Sequence, residues 1–252
     1  MTLRRFQIHP ASIENGACCL EGQNAAHLIH VLRLGPKSRV ELFDGKGSAW
    51  EAEVAAVSKD RADLVIIRPI PKPPPAATRL ALYQSYLKDR KMDQVIRQAT
   101  ELGAWKVCAF FSQRAVPRPN AAKTAKRKER WEKIAAETLK QCRGGRMPQL
   151  DVLPDLNEVL QETAQWPVKV MFWEKADTPV SALPWLPEIG GHVAVAVGPE
   201  GGFSDQEAKT ARDRGFVLVS MGRNILRADT AAVAALTLVQ YFYGALEPPI
   251  SA

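Results

Sequence analysis

The sequence predicts a mixed α/β protein: a parallel sheet flanked by helices over residues 76–252, preceded by a small β-rich domain over 1–72. Three observations carry this reading. From residue 80 onward, apolar runs of strand length alternate with stretches at helical spacing, the pattern of a parallel sheet. Before residue 70 the chain reads as short alternating segments separated by turns. Between the two lies Arg68-Pro-Ile-Pro-Lys-Pro-Pro-Pro75, whose prolines neither donate to a sheet ladder nor fit a helix interior. That stretch marks the domain boundary.

In the first part, Ser38-Arg-Val-Glu-Leu-Phe43 and Ala49-Trp-Glu-Ala-Glu-Val54 alternate on either side of Asp44-Gly45, a hairpin signal. Leu64-Val-Ile-Ile67 adds a strand, and Ala25 to Leu32 reads as a helix. Several short strands with one helix predict a small barrel, a format common in RNA binding. In the second part Leu80-Ala-Leu-Tyr-Gln-Ser85 is a buried strand. A helix over 92–102 follows, with Met92, Val95, Ile96, Ala99 and Leu102 on one face and Gly103 placed to end it. Val107 to Phe111 is the next strand, and a helix over 121–142 turns Trp131, Ile134, Ala135, Leu139 and Cys142 inward. From residue 150 to 191 the signals weaken to one strand, Val168 to Trp173, and a proline-rich surface connection at 178–187. Val193-Ala-Val-Ala-Val197 is apolar throughout, as a strand covered on both faces must be. A strand at 216–220 and a helix at 230–245 close the chain.

The composition, 46% hydrophobic and 24% charged over 252 residues, is that of a globular protein and not a disordered one. No apolar run reaches bilayer-spanning length, and Met1 to Pro10 lacks the apolar block of a secretion signal, so a cytoplasmic protein is expected. Cys18, Cys19, Cys108 and Cys142 form no Cys-x-x-Cys pair and read as reduced thiols. His27 and His30, three apart without a third ligand, do not make a metal site. The net charge of +7 is unevenly spread: residues 79–146 hold 17 basic and 6 acidic side chains, whereas residues 147–252 hold 7 and 13. A middle third this basic is the footprint of a surface facing phosphates, although the run Lys126 to Arg130 taken alone reads equally as a solvated helix face.

The chemistry is concentrated between Val193 and Ala231. The buried strand stops at Gly198-Pro199, Gly201-Gly202 lets the backbone turn and approach a ligand, and Ser204 with Glu207 forms a capping box that starts a helix. Strand ends of this kind are where open α/β sheets bind ligands. The spacing is neither a dinucleotide fingerprint nor a phosphate loop, because Gly-x-Gly-x-x-Gly and Gly-Lys-Ser/Thr are both missing. A second loop, Ile225-Leu-Arg-Ala-Asp-Thr230, places a cation and an acid between a strand and a helix start.

These residues carry a resemblance. Gly198-Pro-Glu-Gly-Gly-Phe-Ser204 followed by Gly222-Arg-Asn-Ile-Leu-Arg-Ala-Asp-Thr-Ala231 resembles the paired motifs of the SPOUT superfamily of trefoil-knotted RNA methyltransferases. Within it, the chain is similar to the bacterial 16S rRNA uridine N3-methyltransferases. Arg4-Arg5-Phe6, His27 to Leu34, Leu42 to Gly47, Ala99-Thr-Glu-Leu-Gly103, Gln113-Arg114 with Val116, and Gln141-Cys-Arg143 before Pro148 fall in that family's order. The chain departs from it at Asn224, where a basic residue is usual, at Asp229, where glutamate is, and at Ala115, where serine is.

The resemblance implies a PUA-like RNA-binding barrel, a knotted domain that binds S-adenosylmethionine, and methyl transfer to N3 of U1498 in 16S rRNA by a homodimer. It needs neither metal nor membrane. The donor has no phosphates, so Gly201 and Gly202 are expected to allow close backbone contact. Phe172, Glu174, Val197, Gly198, Pro199, Met221, Gly222, Ile225, Leu226 and Thr230 are expected to complete the donor pocket. Arg227 is the candidate cation for the developing imide anion, oriented by Glu200 or Asp229, and the alternative is that Arg227 and Asp229 simply pair. Arg4, Arg5, Arg33, Lys88, Arg90 and Arg143 are expected to hold RNA. The competing readings are a SPOUT enzyme acting on tRNA or 23S rRNA, at a ribose 2'-hydroxyl for instance, and a non-enzymatic rRNA-binding assembly factor.

Overall fold

The computed structural model describes residues 3–71, 78–116, 118–183 and 190–243. The expected linker from residue 72 onward, part of the connection at 178–187, and the end of the closing helix at 244–245 lie outside these. The chain divides into two compact units, one drawn from residues 1–74 with 136–147, the other from 75–135 with 148–252.

The first unit contains β1 (Arg4–Gln7), β2 (Ile13–Glu14), β3 (Ala17–Glu21), α1 (Gly22–Ala26), β4 (Arg39–Phe43), β5 (Ala49–Val57) and β6 (Arg61–Ile70). The strands hydrogen-bond in the order β1-β4-β5-β6-β3-β2, antiparallel except for the β1–β4 pair. Alternation does the folding here. Val40 and Leu42, Ala52 and Val54, Ala62 and Leu64 all turn to one core, which Phe6, Leu20 and Leu28 complete. The helix expected at Ala25 to Leu32 is instead α1 running into a π-helical stretch, His27–Val31.

Two expectations are corrected in this unit. The proline-rich segment does not end the sheet at Arg68: β6 continues to Ile70, with Pro69 opposite Trp50. On the β3 side the last bond is Ile66 N–H to Gly16 O at 2.8 Å, so Pro69 lies where β6 is an edge, the place in a sheet that tolerates proline. Second, residues 136–147 belong to this unit. The Arg5 guanidinium donates to the Leu139 carbonyl at 2.7 Å and to that of Gly144 at 3.3 Å, ion-pairs with Glu41 at 2.9 Å and lies 4.4 Å above the Phe43 ring. Met147 N–H donates to Gly45 O at 2.8 Å.

The second unit contains β7 (Thr78–Ser85), α2 (Lys91–Glu101), β8 (Lys106–Phe110), the first part of α3 (Ala121–Cys142), β9 (Gln149–Leu153), α4 (Leu156–Glu162), β10 (Val168–Phe172), β11 (Gly191–Val197), α5 (Asp205–Asp213), β12 (Val217–Val219) and α6 (Ala228–Phe242). Its sheet runs β12-β10-β11-β7-β8-β9, with every pairing parallel. β11 lies between β10 and β7 and is buried from Val193 to Val197, which accounts for its unbroken apolar sequence. In α2 the positions Met92, Val95, Ile96 and Ala99 are buried and Gly103 follows at φ +71°, the left-handed turn that ends a helix.

Candidate functional site

In a parallel sheet all strands end at one edge, and here β7, β10, β11 and β12 end together. β11 stops at Gly198-Pro199, and the chain reverses with Gly202 N–H donating to Pro199 O at 3.0 Å. Neighbouring side chains fix this turn from both sides. The buried Gln84 amide donates to Gly198 O at 2.9 Å, and Arg114 donates to Gly201 O at 3.0 Å. Gly202 has φ +66°, the left-handed conformation that favours glycine, and a Cβ there would lie 2.5 Å from Glu174 Oε1, so the end of that side chain would have to move aside. The chain then enters α5 through the expected box: Ser204 Oγ accepts from Glu207 N–H, and the Glu207 carboxylate accepts from Ser204 N–H at 2.9 Å.

This turn and the loop from Ser220 to Arg227 wall a cavity of about 510 Å³. Phe172, Val197, Met221, Ile225 and Leu226 supply its apolar lining. Glu174, Gly198, Pro199, Gly201, Gly202 and Gly222 line it as well, as do two of the three candidate catalytic residues, Glu200 and Arg227. Thr230 and Asp229 are not in its wall, because α6 begins at Ala228, two residues before the expected start. That places Asp229 in the first turn, where a carboxylate favours the helix N-terminus, and leaves Thr230 exposed. Asp229 Oδ1 is buried without a hydrogen-bond partner, and among the described residues Arg227 forms no ion pair with it.

Sequence reasoning missed Lys91, which also lines the cavity. Its ammonium donates to Glu200 Oε1 at 3.0 Å, and the Lys88 N–H reaches the same oxygen at 3.2 Å. Burial pushes the Glu200 carboxyl up, but Lys91 and the backbone N–H groups outweigh this and hold it below the usual carboxylate range. The signal was available: Lys88-Asp-Arg-Lys91 directly follows a buried strand of the parallel sheet.

Of the expected RNA contacts, Arg4, Arg33, Lys88, Arg90 and Arg143 are exposed. Arg5 is the exception and is corrected. Its side chain is 4% exposed and committed to Glu41, Leu139 and Gly144, so it cannot meet a phosphate. The run Lys126 to Arg130 is partly spent within its own unit. Lys128 pairs with Asp151 at 3.1 Å, Arg130 with Asp93, and Arg127 lies 5.4 Å above the Tyr86 ring, while Lys126 is exposed.

Fold and cavity together define an α/β protein with a ligand site at the edge of a parallel sheet and a β-rich companion unit. A family model described as an RNA methyltransferase domain matches residues 74–240, and one described as an RNA methyltransferase PUA domain matches residues 20–67. Ribosomal RNA small subunit methyltransferase E of Aquifex aeolicus is 31% identical over 167 residues, 65% of this chain and 69% of the relative. Among solved structures, a Legionella pneumophila methyltransferase in complex with its bound cofactor SAM superposes with TM-score 0.86 at 25% identity, covering 96% of this chain and 98% of that one. Ribosomal RNA small subunit methyltransferase E of Neisseria gonorrhoeae, bound to S-adenosyl methionine, superposes with TM-score 0.82 at 27% identity, covering 98% and 100%. The chain belongs to the RNA methyltransferase family of ribosomal RNA small subunit methyltransferase E.

Proposed function

We propose that this protein binds S-adenosylmethionine in the cavity and directs its methyl group to N3 of U1498 in 16S rRNA. The observation that carries the reading is the make-up of the cavity: apolar residues beside a few charged ones, bare backbone at Gly201 and Gly202, and Arg227 in its wall with no ion pair among the described residues. Such a site suits a donor without phosphates and a reaction that develops negative charge. The donor supplies an electrophilic methyl group. Phe172, Val197, Met221, Ile225 and Leu226 would enclose it, with Glu174 and the carbonyls of Gly198 and Pro199 as polar contacts.

N3 becomes a nucleophile only when its imide proton is lost to solvent or a base. Arg227 would stabilise the resulting anion, Glu200 would fix the turn beside it, and Asp229 would orient the first turn of α6. The unit of residues 1–74 with 136–147 would form the RNA-binding domain, and that of 75–135 with 148–252 the transferase domain. Arg4, Arg33, Lys88, Arg90 and Arg143 would hold the phosphates. α6 also supports a homodimer, since Val233, Leu238 and the exposed Tyr241 form an apolar face turned away from its buried side. The contacts of α6 with α2, β7 and β11 are those expected if the closing segment is drawn into a knot.

Nucleoside analysis of 16S rRNA from cells with and without the gene tests the proposal. The expected result is 3-methyluridine at U1498 only when the protein is present. Loss of a ribose-methylated nucleoside, or no change at all, would overturn it.

A further inference from the structure

We propose that the Lys91 ammonium, set in the cavity wall by Glu200, donates to a carbonyl oxygen of the target uracil and stabilises the imide anion that accepts the methyl group. This rests on the uridine N3 reading above.

The argument begins with preorganisation. A cation assists an ionisation most when it is already in place, because no reorganisation is then needed as charge develops. Arg227 has no ion-pair partner among the described residues. Lys91 is held at 3.0 Å by Glu200 Oε1, which the Lys88 N–H also fixes at 3.2 Å. An ammonium has three N–H groups, and this contact uses one. The others remain for a ligand, on a side chain that lines the cavity and is 38% exposed. Glu200 is thereby assigned a positioning role: it is ionised, tied to Lys91, and sets where the ammonium sits.

Uracil matches this donor. Loss of the N3 proton to water spreads negative charge over N3, O2 and O4, so a cation at either oxygen stabilises the anion without blocking N3. The nitrogen lone pair then takes the methyl group as the bond from carbon to sulfur breaks. Cytosine has no N3 proton to lose, so it forms no such anion for the ammonium to stabilise. The charged groups lining the cavity are Lys91, Glu174, Glu200, Arg223 and Arg227, and of these only Lys91 is a cation with an ionic anchor among the described residues.

The test compares Lys91→Met and Lys91→Arg on 16S rRNA transcribed with uridine or with 5-fluorouridine, whose imide is more acidic. Lys91→Met is expected to lower kcat about 100-fold on uridine rRNA. It should recover most of that loss on 5-fluorouridine rRNA, with S-adenosylmethionine affinity by calorimetry unchanged and with Lys91→Arg, which keeps the charge but not its place, losing less than Lys91→Met on uridine rRNA. An equal fractional loss on both RNAs, or a loss of donor affinity in Lys91→Met, would assign Lys91 to holding the turn and overturn the proposal. Wild-type protein that forms neither 3-methyluridine on the first RNA nor 5-fluoro-3-methyluridine on the second would overturn the underlying reading instead.

Discussion

Three positions show how far chemistry at single residues reaches. Arg227 enters the cavity wall without an ion pair among the described residues, so Arg227→Ala should lower kcat by roughly 100-fold or more with the fold intact, measured by single-turnover methyl transfer at saturating substrates. Unchanged turnover would remove it from the chemistry. Gly202 is backed by the Glu174 carboxylate and sits at φ +66°. Gly202→Ala should therefore weaken donor binding by about 10-fold or more, seen by calorimetry, because backbone and carboxylate must both shift. Arg5 is the reverse case. It looked like an RNA contact and is a buried cap on the carbonyls of Leu139 and Gly144. Arg5→Ala should cost about 3–5 kcal/mol in denaturant unfolding, because it strands Glu41 and the helix-end carbonyls. The glycines of the turn were legible, since their spacing is local. The roles of Arg5 and Lys91 were not, because each depends on partners more than a hundred residues away.

At the scale of elements, legibility followed periodicity. α3 lies at the expected residues 121–142, and the capping box opens α5 as expected, because both signals are contained in one short window. β9 and α4 were overlooked where the pattern is weakest. β9 is an edge strand whose only buried residue is Leu150, so its sequence lacks a continuous apolar run. α4 has just two turns, yet its signal was present: Asp155 accepts from Glu158 N–H at 3.1 Å, and Leu156, Val159 and Leu160 are buried. α6 was placed correctly but started late, since Arg227 at its N-cap lacks a side-chain acceptor to announce it. Its outward apolar face makes a prediction. Leu238→Glu should convert a dimer to monomer in sedimentation velocity, and a dimer that persists would place the interface elsewhere.

Across the whole molecule, electrostatics sets the expected response to solution conditions. If exposed arginines and lysines hold rRNA phosphates, log affinity should fall linearly with log salt, and each of Arg4→Ala, Arg33→Ala and Arg143→Ala should reduce the slope by about one. An affinity indifferent to salt would reject the phosphate contacts. Acid stability follows from Glu51, whose carboxylate is held low first by Arg68 and also by Arg39. A carboxyl with a depressed folded pKa contributes fully above its unfolded value of about 4.3, and that contribution is lost as the pH falls through the lower folded value. Glu51→Gln should therefore narrow the stability difference between neutral and acid pH, measured by melting temperature across that range.

The guanidinium of Arg5 also ties the protein to an order of synthesis. Its acceptors lie at residues 139 and 144, so the N-terminal unit stays incomplete until most of the chain's first 147 residues have left the ribosome. A fragment stopped at residue 76 is thus a domain missing its clasp, and it should unfold without the cooperative transition of the intact chain.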